Sequence, residues 1–212
     1  MKHGIIRYYY DFLKQMQVNK SKYAFLQLCG KIEEYLVKEF ISYIFIASKG
    51  ERFALQNIGL KGEKKIDIVI VNGNIDEDDL NIEAAVEAKY LRNCHRYNVN
   101  NSAKDEISTA LKELKNQTGK LLKDDHGGYG IHLHSKTKEI YGLVFSSFVS
   151  NIKDDPKKKI YYQSILDSEQ CNIFRYHDLE KPYFRRIYDD VDVKVLDSTR
   201  FVTLRAGLWK KK

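Results

Sequence analysis

Two consecutive apolar runs constrain this chain more than any other feature. They are Ile66-Asp67-Ile68-Val69-Ile70-Val71 and, beyond a polar interval, Ala84-Ala85-Val86-Glu87-Ala88-Lys89. Runs this short and this rich in β-branched residues read as buried strands. Two of them joined by a hydrophilic connection commit the chain to a sheet. Each run also holds charge where charge is costly to desolvate, so Asp67, Glu87 and Lys89 are expected to be paired, metal-bound or functional. Strand alternation puts Glu87 and Lys89 on one face, with Val86 and Ala88 on the other, and puts Asp67 with Val69 and Val71.

The surrounding pattern supplies the rest of the fold. Residues Lys2 to Gln17 read as a short helix with aromatic bulk. Lys22 to Ala47 reads as one long helix, with Phe25, Leu28, Cys29, Ile32, Leu36, Phe40 and Tyr43 recurring at helical spacing. Strands are expected over Arg52 to Ile58, Lys65 to Asn72 and Asn81 to Leu91, with Asn72-Gly73-Asn74 as a turn and Asp76-Glu77-Asp78-Asp79 as its hydrophilic extension. Ser102 caps a helix expected to reach about Lys123, and His126-Gly127-Gly128-Tyr129-Gly130 breaks the chain. A buried strand follows over Lys138 to Val149. After it come a short helix near Lys158 to Leu166, a strand around Cys171 to Tyr176, and a strand pair between Val191 and Trp209. The expectation is an α/β fold, a central mixed sheet with helices on both faces. The 212 residues fit a single domain. Its core spans about 22–149, and a mixed α/β tail over 150–212 would serve substrate recognition or dimerisation.

If the two charged strands pair, both carboxylates can converge on one cation. Hard oxygen ligands suit Mg²⁺, which keeps waters and bridges to phosphate. Lys89 would then orient or help deprotonate an attacking water and offset phosphoryl charge. At Asp67, Glu87 and Lys89, and in element order over Lys22 to Val149, the chain resembles the PD-(D/E)XK nuclease superfamily, the restriction-endonuclease-like fold. The resemblance implies Mg²⁺ (Mn²⁺ substituting) held by Asp67 and Glu87, Lys89 assisting hydrolysis, and double-stranded DNA as substrate. Ile66 stands where the family usually has proline before the Asp. Many members add a carboxylate from the helix before the sheet. At about 100° per residue, Glu33 falls on the flank of the Leu26-Cys29-Leu36-Phe40 stripe, whereas Glu34 lies with Gln27, Lys31 and Lys38 on the polar face. Glu33 is therefore the additional candidate, and Glu39 a weaker rival.

The tripeptide acidic-x-Lys is cheap in so charged a chain. It recurs at Glu63-x-Lys65, Glu113-x-Lys115, Asp155-x-Lys157 and Asp192-x-Lys194. The first lies in a loop, the second in a helix and the third across a proline turn. Asp192-Val193-Lys194 is the serious decoy because it is strand-like, but no apolar strand with a lone Asp precedes it. A sheet-edge ion-pair cluster is the bland alternative for Asp67, Glu87 and Lys89. Further contacts to DNA are expected from Arg92 and Arg96 after the second strand, and from Gln117 on the apolar stripe of the following helix.

Net charge is +7, which favours polyanions without specifying one. Lys157-Lys158-Lys159 and Trp209-Lys210-Lys211-Lys212 read as solvated runs. Cys29, Cys94 and Cys171 form neither a disulfide framework nor a zinc site and are expected as free buried thiols. The acidic run Asp76–Asp79 lacks an EF-hand pattern. His126, His132 and His134 lack the partners of a zinc site. No apolar run spans a bilayer and no signal peptide is evident, so no membrane partner and a cytoplasmic setting are expected. A type II-like restriction endonuclease fits best, and a homodimer would match a palindromic site. A repair, recombination or mobile-element nuclease of the same fold is the first rival. A non-catalytic nucleic-acid-binding protein with a degenerate site is the second.

Overall fold

The computed structural model describes residues 4–29, 32–49, 51–59, 65–74, 79–93, 127–128, 131–132, 139–167 and 185–210, and most of their side chains. The chain opens with helix α1 (Ile5–Val18), whose Ile5, Tyr8, Tyr9, Phe12, Leu13 and Met16 face the interior at helical spacing. Helices α2 (Lys20–Leu28) and α3 (Ile32–Ala47) follow. The single helix expected over Lys22 to Ala47 is therefore two. The Cys29 N–H closes on the Leu26 carbonyl three residues back, a tightened last turn, and Gly30 is a poor helix-interior residue. The break resets the helical phase, so the apolar stripe does not run through it. Tyr23, Ala24 and Gln27 are the buried residues of α2, while Phe25 is 54% exposed and Cys29 is an exposed thiol, not a buried one. In α3 the stripe of Ile32, Leu36, Val37, Phe40 and Ile44 is buried. Each such aliphatic or phenyl side chain contributes about 1.5–3 kcal/mol of transfer free energy.

Strands β1 (Arg52–Gly59), β2 (Lys65–Asn74) and β3 (Asp79–Asn93) form an antiparallel meander. The turn expected at Asn72-Gly73-Asn74 is instead part of the ladder, with Gly73 opposite Leu80 and Asn74 opposite Asp79. Glycine's missing side chain did not prevent pairing there. Gly127–Gly128 (β4) and Ile131–His132 (β5) make a separate two-stranded hairpin. Strand β6 (Glu139–Ser150) then lies parallel to β3, as only a long crossover connection permits. Helix α4 (Pro156–Asp167) follows, and β7 (Arg185–Val195) and β8 (Ser198–Lys210) complete the sheet in the order β1-β2-β3-β6-β8-β7. The expected helix from Ser102 and the expected strand at Cys171 to Tyr176 lie outside the described residues.

Helices α1 to α3 cover one sheet face, burying Ile68, Ile70, Ala84, Val86, Ala88, Leu143, Phe145, Val202, Leu204 and Ala206 with them. The alternate strand positions Val69, Val71, Ala85, Leu91, Val144 and Phe148 are also buried. Over the β6 and β8 part of this face lie Tyr161 and Tyr162 of α4: Tyr161 packs near Phe148 and accepts from Ser146, and Tyr162 donates to the backbone carbonyls of Ser146 and Thr203. Covered on both faces, β2, β3 and β6 read as continuous apolar runs rather than alternating ones. Asp155 fixes the start of α4, accepting the Lys157 N–H at 2.9 Å with Pro156 in the first helical position. Among the described residues no helix is long and apolar enough to cross a membrane.

Candidate functional site

The paired register of β2 and β3 begins at Ile68 opposite Val86. One residue further, Asp67 stands opposite Glu87, and there the two backbones stop pairing. The Ala88 N–H, which still points towards β2, donates instead to Asp67 Oδ2 at 2.8 Å. The Asp67 side chain thus supplies the acceptor that the departing strand no longer gives. Ala88 is buried, so water does not replace this bond. β3 keeps its pairing to β6 past this point: Glu87 lies opposite Gly142, Lys89 opposite Val144, and the ladder continues to Asn93 opposite Phe148. The β2–β3 ladder ending beside the continuing β3–β6 ladder makes a notch in the hydrogen-bonding pattern of the sheet, and the strand positions of Asp67, Glu87 and Lys89 lie at it. Their strand positions alternate with Ile68 and Ala88, so they fall on the face opposite α1 to α3.

A carboxylate offers roughly four acceptor positions. One backbone hydrogen bond therefore fixes the plane of Asp67 without exhausting it as an oxygen ligand. The two carboxylates at these positions are the oxygen ligands a hard divalent cation takes, and the Lys89 ammonium, which has no lone pair to give, suits an anion beside it. The side chains of Glu87, Lys89 and Glu33 lie outside the described residues, as do the side chain of Arg92 and all of Arg96 and Gln117. Among the described residues no three His, Cys, Asp or Glu side chains gather to hold a metal.

Other carboxylates considered from the sequence are committed elsewhere. Glu39 accepts hydrogen bonds from Lys22, Tyr23 and Tyr35 at the junction of α2 and α3. Burial opposes its ionisation, but these bonds outweigh burial and hold its carboxyl below the ordinary value. Glu34 is exposed, as its polar-face position predicts. Asp192 and Lys194, the strand-like decoy, are both exposed on β7, an edge strand, around the buried Val193. Asp155 is the cap of α4.

Three arrangements escaped the sequence. Gln27, expected on the polar face of its helix, is fully buried and donates its amide to the Tyr188 hydroxyl of β7. The register between β2 and β3 shifts at Ile70/Val71, leaving Glu83 as an extra residue in β3. That bulge aims Glu83 at Arg52 (2.6 Å), whose guanidinium also donates to the Tyr8 hydroxyl of α1 at 3.2 Å. The pair ties α1 to β1 and β3. Lys158, expected in a solvated run, has a side chain only 14% exposed and pairs with Asp190 and, at 3.9 Å, with Asp189. Two further register shifts bulge β7 around these aspartates, with Asp190 at φ 44°. Bulges leave no trace in composition, which is why neither cluster was foreseen.

No protein-family model matches the chain, and neither a curated protein nor a solved structure matches it.

Proposed function

We propose that the protein is a Mg²⁺-dependent endonuclease that hydrolyses a phosphodiester of double-stranded DNA, acting as a type II-like restriction enzyme of the PD-(D/E)XK superfamily in the cytoplasm. The observation that carries this reading is the anchoring of the Asp67 carboxylate on the Ala88 N–H, between Glu87 and Lys89, where β2 leaves β3. The element order adds support. The chain runs through a helical segment, a three-stranded meander and a fourth strand parallel to the third, an order on which the proposed reading draws.

Asp67 and Glu87 are the residues that would hold the metal, with Glu33 of α3 as an additional carboxylate. Mg²⁺ bound there would lower the pKa of a coordinated water and neutralise charge on the phosphoryl oxygens. The chain's own contribution is positional. Asp67 is held by the backbone of the strand that carries the other two residues, which would keep the three in register for this role. Lys89, two positions along from Glu87, would orient the attacking water and offset charge on the phosphorane. Arg92, Arg96 and Gln117 are proposed to contact the DNA, and a homodimer would present two such sites to a palindrome.

Digestion of a defined plasmid in Mg²⁺ tests the reading. Discrete fragments indicate sequence-specific restriction. A smear indicates a nonspecific nuclease, and cleavage confined to junctions or flaps a repair or recombination enzyme. Plasmid, linear and branched DNA all left intact in both Mg²⁺ and Mn²⁺ would sink the enzymatic reading and favour a non-catalytic DNA-binding protein.

A further inference from the structure

A cavity of about 240 Å³ opens between the start of α4 and β8, lined by Asp154, Asp155, Lys158, Lys159, Tyr162 and Arg205, with Pro156 and Gln163 at its margin. Arg205 is its distinctive member. The guanidinium stacks 4.0 Å above the Tyr162 ring, and its Nε is buried without a hydrogen-bond partner among the described residues. Buried donors are nearly always satisfied, and a partly buried cation is normally paired. The carboxylates nearby do not fill that role. Asp190 is taken by Lys158, and Asp155 accepts from Ser150 and the Lys157 N–H. Asp189 accepts from Arg186 through Oδ2 at 2.9 Å, and its Oδ1, 3.9 Å from Lys158, has no hydrogen-bond partner of its own among the described residues, so it does not pair with Arg205 Nε. The remaining lining carboxylate, Asp154, belongs to an exposed residue. Lys159, also exposed, adds a second cation to the rim.

The position of the cavity relates it to the notch. Leu91, Ser146 and Arg205 are neighbours across β3, β6 and β8, and Lys89, Val144 and Gly207 form the next row along those strands on the same face. With strands about 4.8 Å apart and about 3.3 Å of rise per residue, the backbone of Arg205 stands on the order of 12 Å from that of Lys89. That is roughly three to four nucleotides of rise along one DNA strand.

We infer that Arg205, stacked on Tyr162, and Lys159 bind a phosphate group, and that in the proposed nuclease this is a backbone phosphate of the bound duplex, a few nucleotides from the cleaved bond. Only the second half rests on the nuclease reading. A planar guanidinium held flat against an aromatic ring presents its edge at low entropic cost, the geometry that suits phosphate oxygens.

The test uses the full-length chain and a labelled duplex, with binding followed by fluorescence anisotropy in EDTA so that cleavage plays no part. Arg205→Gln and Lys159→Ala are each expected to weaken binding, Arg205→Gln by about tenfold. Each should lower the salt slope of log affinity by about one. Lys159 is an exposed helix residue, so its variant decides the matter should Arg205→Gln fail to fold. Wild-type affinity and slope in Lys159→Ala and in a folded Arg205→Gln would overturn the DNA assignment, as would a wild type that binds no duplex; the absence of any phosphate effect besides would overturn the proposal whole. Inorganic phosphate provides the second arm: it should raise the thermal midpoint of the wild type and not of Arg205→Gln. Phosphate stabilisation without any effect of the variants on duplex binding would overturn the DNA assignment and identify a site for free phosphate. Cleavage is scored separately. A chain that binds duplex through this cavity but never cuts keeps the cavity and loses the nuclease reading, and the converse result does the reverse.

Discussion

Asp67 has two separable roles, and a pair of substitutions divides them. Its Oδ2 is the acceptor for the Ala88 N–H at 2.8 Å, at a residue only 3% exposed. Asp67→Ala leaves that N–H without a partner in the sheet interior, at a cost of about 1–3 kcal/mol. In a domain of this size, 1 kcal/mol moves the midpoint by about 2–4 °C, so a fall of roughly 2–12 °C is expected. Asp67→Asn keeps an acceptor oxygen and gives up only the charge, so it should lose no more than about 1 kcal/mol, the difference between a charged and a neutral hydrogen bond. Both variants should nevertheless lose metal-dependent activity, because an amide is a poor ligand for Mg²⁺. Thermal unfolding followed by circular dichroism in EDTA measures the structural term alone. An Asn variant as destabilised as the Ala variant, or an Ala variant as stable as wild type, would refute the assignment of this hydrogen bond to the end of the β2–β3 ladder.

Two predictions concern parts of the fold remote from the notch. Asp155→Ala removes the cap of α4 and should cost about 1 kcal/mol at neutral pH. Burial opposes ionisation of Asp155, but the Ser150 hydroxyl and the Lys157 N–H prevail and hold its pKa below the ordinary value of 3.8. With a depressed folded pKa, the stabilisation is complete above the unfolded value and is lost as pH falls through the folded one. The gap between wild type and Asp155→Ala in urea melts should therefore be constant from about pH 5 to 7 and close below pH 4. Tyr188→Phe strands the buried Gln27 amide and should cost about 1–3 kcal/mol, whereas Gln27→Leu with Tyr188→Phe should cost less than the sum of the two single changes. Additive single effects in the same melts would show that the pair is not coupled.

The strands were legible because β-branched runs such as Ile66–Val71 leave a short segment no other stable form. The order of elements up to β3, and the later pairing of β7 with β8, followed from that. The helix break at Cys29 was not legible: apolar residues on both sides of Gly30 happen to continue one period, and the glycine was the only signal. Gln27 looked polar and exposed because its partner, Tyr188, lies 161 residues away. The bulges at Glu83 and at Asp189–Asp190 depend on strand register, which no local pattern records. In the notch itself, the sequence located Asp67, Glu87 and Lys89 on adjacent strands. It could not indicate that Asp67 would replace a missing backbone acceptor. The tail was read least well, because Arg205 and Tyr162 acquire meaning only when α4 folds over β8.

The central claim is that Asp67, Glu87 and Lys89 form one Mg²⁺-dependent hydrolytic site. Its most direct test is the rate at which supercoiled plasmid is nicked by the wild type, Asp67→Asn, Glu87→Gln and Lys89→Ala in a Mg²⁺ titration. The wild type should cut in Mg²⁺ and not in EDTA, and each variant should be slower by at least about 10²-fold while still binding duplex. Cleavage by the variants at the wild-type rate, or none by the wild type at any Mg²⁺ concentration, would contradict it.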